Sequence, residues 1–214
     1  MNANLQNKHT DFYGRDFLVT KDTLIPRPET EQIIDTVLSL AGKPFLPGVK
    51  APKPKLPPGF SLLDVGTGSG CIAITIKKEL PLANVTASDI SEKALKVALE
   101  NADNLKADIT FIHSDLLQNT PKSYDVIVAN LPYVDKTWDW LDLKALSAEP
   151  SLALFAKDHG LALIKSLIDQ IADNPPKYFI LEADPCQHTA IASYAKQKHL
   201  RITATRGFIL TIQR

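Results

Sequence analysis

Apolar residues recur along this chain in two alternating rhythms. Short unbroken runs, Leu62-Leu63, Val126-Ile127-Val128-Ala129 and Tyr178-Phe179-Ile180-Leu181, read as strands buried on both faces. Between them the spacing is helical. Ile33, Ile34, Val37 and Leu38 follow Pro28, a residue suited to a first helical turn, and Leu161, Ile164, Leu167, Ile168 and Ile171 share one face further on. Ser91 is the expected N-cap of a helix burying Ala94, Leu95, Ala98 and Leu99. Asn84-Val85-Thr86-Ala87-Ser88 and Ile109-Thr110-Phe111-Ile112 supply two more strands, and Phe12 to Val19 reads as a short hairpin or extended segment. The chain closes on a helix and two strands, Arg201-Ile202-Thr203-Ala204-Thr205 and Phe208-Ile209-Leu210-Thr211-Ile212, broken at Arg206-Gly207. So tight a connection makes that last pair antiparallel. Strands alternating with helices predict an α/β fold with a doubly wound, mostly parallel sheet.

In such sheets ligands bind beyond the carboxyl ends of the strands. Gly66, Asp89, Asp115 and Asn130 all fall at those ends, so one cleft can hold every motif that follows. The first is Asp64-Val65-Gly66-Thr67-Gly68-Ser69-Gly70, a strand leaving through a glycine turn into a helix. Its glycines let backbone approach a ligand at the helix N-terminus. The spacing lacks the last glycine of the dinucleotide fingerprint. Taken alone, such a loop serves a nucleotide, a phosphate or nothing.

The second motif is Asn130-Leu131-Pro132-Tyr133. Asparagine offers a carbonyl oxygen that accepts from an N–H. Leu131 precedes proline and is biased to extended backbone, which makes its carbonyl a candidate second acceptor. Tyr133 adds a flat face with a phenolic tip. Two acceptors and a plate suit a planar, conjugated NH₂ group, whose delocalised lone pair makes it a poor nucleophile unless it is held and polarised. On its own the tetrapeptide reads more readily as a turn built from common turn formers than as a catalytic motif.

Composition narrows the class. At 214 residues and 44% hydrophobic, the chain can bury one sizeable core. Lys plus Arg and Asp plus Glu number 24 each, which disfavours a protein living on phosphate backbones. Cys71 reads as a small buried apolar residue, and neither it nor Cys186 falls in a metal-ligand spacing. The five histidines are scattered and read as structural or surface; His9 and His199 have no evident partners. The amino terminus is polar and unlike a signal peptide, and no run approaches membrane length, so the expected location is the cytoplasm; a monomer is expected, with no motif that sets the oligomeric state. Residues 41–60 hold six of the fifteen prolines and four lysines, which predicts a stiff, solvated loop. The expected organisation is a tail and hairpin over 1–23 and one catalytic domain over 24–214.

Asp64 to Gly70, with Asp89 ending the second strand and Ile90 after it, resembles the opening of class I S-adenosylmethionine-dependent methyltransferases. That resemblance implies a Rossmann-like sheet of seven strands with a carboxyl-terminal antiparallel pair. Leu24-Ile25-Pro26-Arg27-Pro28-Glu29-Thr30-Glu31 is similar to a signature of bacterial peptide chain release factor glutamine N(5)-methyltransferases. Glu149-Pro150-Ser151-Leu152-Ala153-Leu154 and Asp158-His159-Gly160-Leu161 match further stretches of that family. The resemblance implies methyl transfer from S-adenosylmethionine to the side-chain amide of the glutamine in a release factor's Gly-Gly-Gln loop. By the family's pattern Gly66, Thr67, Gly68, Ser69, Gly70, Asp89, Ile90, Asp115, Leu116 and Asn130 contact the cofactor. Asn130, Leu131, Pro132 and Tyr133 hold the glutamine, with Asn130, Pro132 and Tyr133 as the catalytic set, and Arg27 lies against the substrate cleft.

Three departures stand out. Leu131 replaces a proline usual in the family. The family's usual amino-terminal helical domain is not seen before the hairpin, which bears on how the release factor docks. The 41–60 loop is longer than the family needs. The rival readings are an adenine N6-methyltransferase acting on rRNA or DNA, since Asn-Leu-Pro-Tyr is also spelled that way there, a glutamine methyltransferase acting on a ribosomal protein, and a non-catalytic cofactor-binding scaffold.

Overall fold

A computed structural model describes residues 8–44, 48, 50–121, 123–139, 141 and 149–214. The Phe45-Leu46-Pro47 part of the proline-rich stretch and the first seven residues lie outside that set. A hairpin comes first, β1 (Lys8–Phe12) against β2 (Arg15–Val19). Tyr13 and Gly14 turn it, both at positive φ. Pro28–Thr30 form a single 3-10 turn that feeds α1 (Glu31–Leu40).

The alternation then runs β3 (Ser61–Val65), α2 (Cys71–Glu79), β4 (Asn84–Asp89), α3 (Glu92–Leu105), β5 (Thr110–His113) and β6 (Val126–Ala129). A short α4 (Ser151–Leu154), α5 (Ala162–Ala172), β7 (Tyr178–Glu182), α6 (His188–Gln197), β8 (Arg201–Arg206) and β9 (Ile209–Gln213) complete it. The main sheet has seven strands in the order β5-β4-β3-β6-β7-β9-β8. All pairs are parallel through β7, and β9 runs antiparallel to both β7 and β8, with a register shift between Ile202 and Ala204. Strand order therefore reverses between β3 and β6. Those are the strands that lead into Gly66 and Asn130, and the crevice at such a reversal is where these sheets take ligands.

Each central strand is apolar on both faces because helices cover both. Leu62, Val126, Val128 and Ile180 face a cluster with Ile33, Ile34, Val37, Ile72 and Ile76. Leu63, Ile127, Phe179 and Leu181 face a second cluster with Ile164, Leu167, Ile168 and Ile191. Helix α5 buries the residues its spacing marks.

Helix α3 differs from expectation. Ala94 and Ala98 are buried, but Leu95 is only partly covered and Leu99 is half exposed; the buried stripe is Ala94, Val97, Ala98, Asn101 and Ala102. A polar residue occupies the core position because it has work to do there. Asn101 Oδ1 accepts from the Leu18 N–H at 2.8 Å, and its Nδ2 donates to the carbonyls of Leu18 and Ser69, both at 2.9 Å. One amide thus ties the hairpin to the glycine loop. The proline-rich stretch is also less free than its composition predicts. Leu56 and Phe60 are buried, and the N–H groups of Lys55 and Leu56 both donate to the Leu40 carbonyl. His9, for which the sequence offers no partner, meets Asp16 across the hairpin at 2.7 Å.

Candidate active site

The glycine loop leaves β3 and immediately doubles back. Gly66, Gly68 and Gly70 have φ of 73°, 57° and 81°, a region that side-chain-bearing residues rarely adopt. The N–H groups of Gly66 and Thr67 both donate to the Ser88 carbonyl, at 2.8 and 2.9 Å, which fastens the loop to the end of β4. Thr67 and Ser69 are buried, while Gly66 is exposed at the sheet end.

Beneath the loop Asp64 is fully buried. Its Oδ2 accepts from the Thr67 hydroxyl at 2.6 Å and the Ala73 N–H at 3.3 Å, whereas Oδ1 has no partner. Burial dominates and pushes the carboxyl up to about 7, against those two hydrogen bonds.

Asp89 stands at the end of β4 with one backbone N–H on each oxygen, Gly68 on Oδ2 at 2.9 Å and Ser91 on Oδ1 at 2.8 Å. Each oxygen keeps a second acceptor site, which is what a pair of vicinal hydroxyls needs. Burial nevertheless raises its pKa, partly offset by those backbone donors. Ile90, next to it, is 51% exposed and offers an apolar flat suited to a heterocycle. Asp115 is exposed beyond the end of β5, and Leu116 is buried behind it at φ 50°. These positions together suit an adenosine with its ribose on Asp89, and the exposed backbone of Gly66 suits the rest of S-adenosylmethionine.

On the other side of the reversal, Asn130 follows β6 directly. Its Nδ2 donates to the Thr30 hydroxyl at 3.1 Å, so the Pro-Arg-Pro-Glu-Thr-Glu segment and the tetrapeptide are in contact. Leu131 is 4% exposed, and a Cβ on Gly66 would stand 3.0 Å from its Cδ2. The leucine therefore packs the tetrapeptide onto the glycine loop. Pro132 is partly buried. Tyr133 donates its hydroxyl to Glu182 Oε1 at 3.1 Å, and burial first, then the adjacent Glu182 carboxylate, raises its pKa.

Arg27 pairs with an acid far along the chain. Its guanidinium meets Glu149 Oε1 at 2.5 Å, and Glu149 Oε2 accepts from the Ile25 N–H at 3.2 Å. The Glu-Pro stretch thus clamps the upstream signature in place. The structure brings Gly66 to Gly70, Asp89, Ile90 and Asn130 to Tyr133 to one end of the sheet, with Arg27 on the flank; Asp115 lies along the same edge.

Sequence reasoning passed over Glu182 and Thr30. Glu182 is 1% exposed at the end of β7, and burial raises its pKa while the polar groups of Thr30, Tyr133 and Asn130 lower it. The available signal was an acid ending an apolar run, Leu181-Glu182, in the same relation to its strand as Asp89 and Asn130. Gln187 was passed over too, although its Nε2 donates to the carbonyls of Tyr133 and His159 at 2.8 and 2.9 Å.

Comparison with known proteins bears on the fold and the family. Residues 53–146 match the methyltransferase small domain family. The chain is 42% identical over 187 residues to the release factor glutamine methyltransferase of Koribacter versatilis, covering 83% of this chain and 62% of that protein. It is 38% identical over 194 residues to that of Lactococcus lactis, covering 88% of this chain and 66% of the relative. The chain thus spans between half and two thirds of the length of the first curated relatives it matches. Among solved structures, the 16S rRNA N2 G1207 methyltransferase RsmC of T. thermophilus, in complex with AdoMet and guanosine, superposes with a TM-score of 0.63 at 13% identity, covering 98% of this chain and 50% of that one. The fold is that of class I S-adenosylmethionine-dependent methyltransferases.

Proposed function

We propose that this chain, which belongs by sequence to the release factor glutamine methyltransferase family, methylates the side-chain amide nitrogen of the glutamine in a release factor's Gly-Gly-Gln loop. The observation that carries the reading is the hydrogen bond from Asn130 to Thr30. It joins the tetrapeptide, which suits a planar NH₂ group, to the segment that resembles the glutamine-specific signature. Relatives named for release factor glutamine support the same target over an adenine amine. A balanced formal charge gives RNA no attraction across the whole chain. The cytoplasm, where release factors act, is the proposed location, and no helix among the described residues is long and apolar enough to cross a membrane.

The residues divide the task. Asp89 and the backbone of Gly66 to Gly70 hold the cofactor, with Ile90 and Leu116 flanking it. Asn130 Oδ1 and the Leu131 carbonyl accept the two amide hydrogens of the target, and Tyr133 supports its plane. Accepting those hydrogens draws electron density onto the nitrogen and fixes its lone pair along one line. S-adenosylmethionine, when bound, would supply an electrophilic methyl group to the nitrogen lone pair, its C–S bond breaking as the N–C bond forms, and the nitrogen's extra proton would pass to water. No general base is required, since the proton becomes acidic only after the methyl arrives. Orientation is then the main source of rate, and well-aligned reactants reach effective molarities of roughly 10⁵ to 10⁸ M.

The test is label transfer from S-adenosylmethionine to a release factor, to the same factor with Gly-Gly-Gln changed to Gly-Gly-Ala, to ribosomal proteins and to ribosomal RNA. Label is expected on the first alone. Label on RNA, or label indifferent to loss of that glutamine, overturns the reading.

A further inference from the structure

Glu182 poses a problem that the proposed reaction leaves unsolved. A carboxyl group at 1% exposure at the end of β7 is costly, and no lysine or arginine among the described residues pairs with it. The Glu29 carboxylate acts on it with a charge of the same sign. The position lies between apolar Leu181 and Ala183, where an aliphatic side chain would be cheaper. An acidic residue kept under those conditions is explained by what it touches.

It touches both ends of the tetrapeptide. Glu182 Oε1 receives the Tyr133 hydroxyl at 3.1 Å. The side chains of Thr30 and Asn130 stand beside the same carboxylate, and Asn130 Nδ2 donates to Thr30 Oγ1 at 3.1 Å. Thr30 is 2% exposed, so its hydroxyl has only these neighbours to serve. An ionised carboxylate is acceptor-only, and a hydroxyl carries one proton. Asn130 Nδ2 donates to the Thr30 oxygen beside an acceptor-only carboxylate whose Oε2 has no hydrogen-bond partner, and both groups call for the NH₂ end of the asparagine amide. Its carbonyl is then directed away from Thr30.

We propose that Glu182, acting with Thr30, is the positioning residue that fixes the polarity of the acceptor site: through Thr30 it sets which end of the Asn130 amide faces the target, and through Tyr133 it sets the plane on which the target rests. This deepens the reading of the site as an amide-nitrogen methyltransferase and rests on it. The glutamine amide needs an acceptor from Asn130. A flipped Asn130 would offer a donor to a donor, so the consequence of losing Glu182 is a misdirected site rather than a missing one.

Glu182→Gln is the discriminating variant because it keeps size and replaces one acceptor with a donor. That donor can occupy the Thr30 oxygen, free the Thr30 proton for Asn130 Oδ1 and flip the amide. Thr30→Val removes the relay, and Thr30→Ser retains it. With a release factor as substrate, Glu182→Gln and Thr30→Val are expected to lose on the order of 10²-fold in kcat, the scale of a misplaced reacting group. Their affinity for S-adenosylmethionine and their melting temperatures should stay near those of the unmutated protein, and Thr30→Ser should restore most of kcat. A second readout needs no substrate: the Asn130 side-chain NH₂ signal in ¹⁵N NMR, identified by its loss in Asn130→Ala, should exchange slowly in the unmutated and Thr30→Ser proteins and quickly in the other two. Unchanged kcat in Glu182→Gln, unchanged amide exchange, or a fall in kcat matched by equal losses of cofactor affinity and melting temperature each overturns the assignment. Failure of the unmutated protein to label any release factor strikes the functional reading instead, and the amide-exchange result still decides this one.

Discussion

Gly160 lies so close to Tyr133 that a Cβ on it would stand 1.9 Å from the Tyr133 carbonyl oxygen. The loop that brings it there holds three consecutive left-handed residues, Asp158, His159 and Gly160, with φ of 56°, 54° and 82°. Gln187 closes the arrangement from the other side by donating to the carbonyls of Tyr133 and His159. The tetrapeptide therefore does not end in a free turn; its last carbonyl is seated against a glycine.

Gly160→Ala should displace that seat. The added methyl meets backbone, which cannot swing away, and the positive φ adds its own strain. The expected cost is more than about 1 kcal/mol of stability, with a fall in turnover on the order of 10²-fold as Tyr133 shifts. A thermal melt and steady-state kinetics on the same sample check both, and an alanine variant with unchanged kcat would show that the seat is irrelevant to the reaction.

Asn130→Ala separates the two halves of the cleft. Asp89 and the glycine loop make their hydrogen bonds without Asn130. Transfer is thus expected to be abolished while S-adenosylmethionine still binds within several-fold of its original affinity, as titration calorimetry would read. Turnover near the unmutated rate would remove Asn130 from the chemistry.

The difference between what was legible and what was not follows from the same geometry. Strand and helix periods fixed the sheet because residues such as Ile127, Phe179 and Ile168 are in the core for no reason beyond being apolar. That one cleft gathers the ends of β3, β4 and β6 was legible because the glycine loop, Asp89 and Asn130 each stand where a strand runs out. Asn101 and Glu182 were not, since each is a polar residue in a buried position whose partners lie far away in sequence, Leu18 for one and Tyr133 with Thr30 for the other. The misread Leu99 belongs to the same error: a count of apolar residues put it inside and gave Asn101 no place there. The Arg27–Glu149 contact, across 122 residues, likewise has no local signal.

Asp64 should make stability depend on pH in an unusual direction. Its carboxyl is raised by burial from 3.8 to about 7, so between those values the folded protein holds a proton that the unfolded chain has released. The stabilisation is complete below about pH 4 and is lost as pH rises through 7, with a slope approaching 1.4 kcal/mol per pH unit within the window. Asp64→Asn removes the titration, and the amide still offers an oxygen to Thr67. Urea melts at pH 5 and pH 7.5 should show the unmutated protein losing more stability between them than the variant. Equal losses would mean that Asp64 does not carry the proton.

Leu131 offers the sharpest test of how the cofactor loop and the acceptor site are coupled. Its backbone carbonyl is assigned to the target, but its side chain belongs to the core, buried against Gly66 with Val65, Ile127 and Ala129 in the same cluster. A leucine here lacks the rigid φ of the proline that the family resemblance leads one to expect, and it makes this contact between the two halves of the site. Truncation to alanine should cost about 2–5 kcal/mol, the range for a buried leucine that leaves a cavity. Because the cavity opens beneath Gly66, KM for S-adenosylmethionine should rise along with the loss of stability, although Leu131 offers the cofactor no polar group. Leu131→Met, which conserves most of the volume, should cost less than about 1.5 kcal/mol and leave that KM near its original value. An alanine variant that loses stability but binds S-adenosylmethionine as before would show that the glycine loop is held by Asp89 and Ser88 alone.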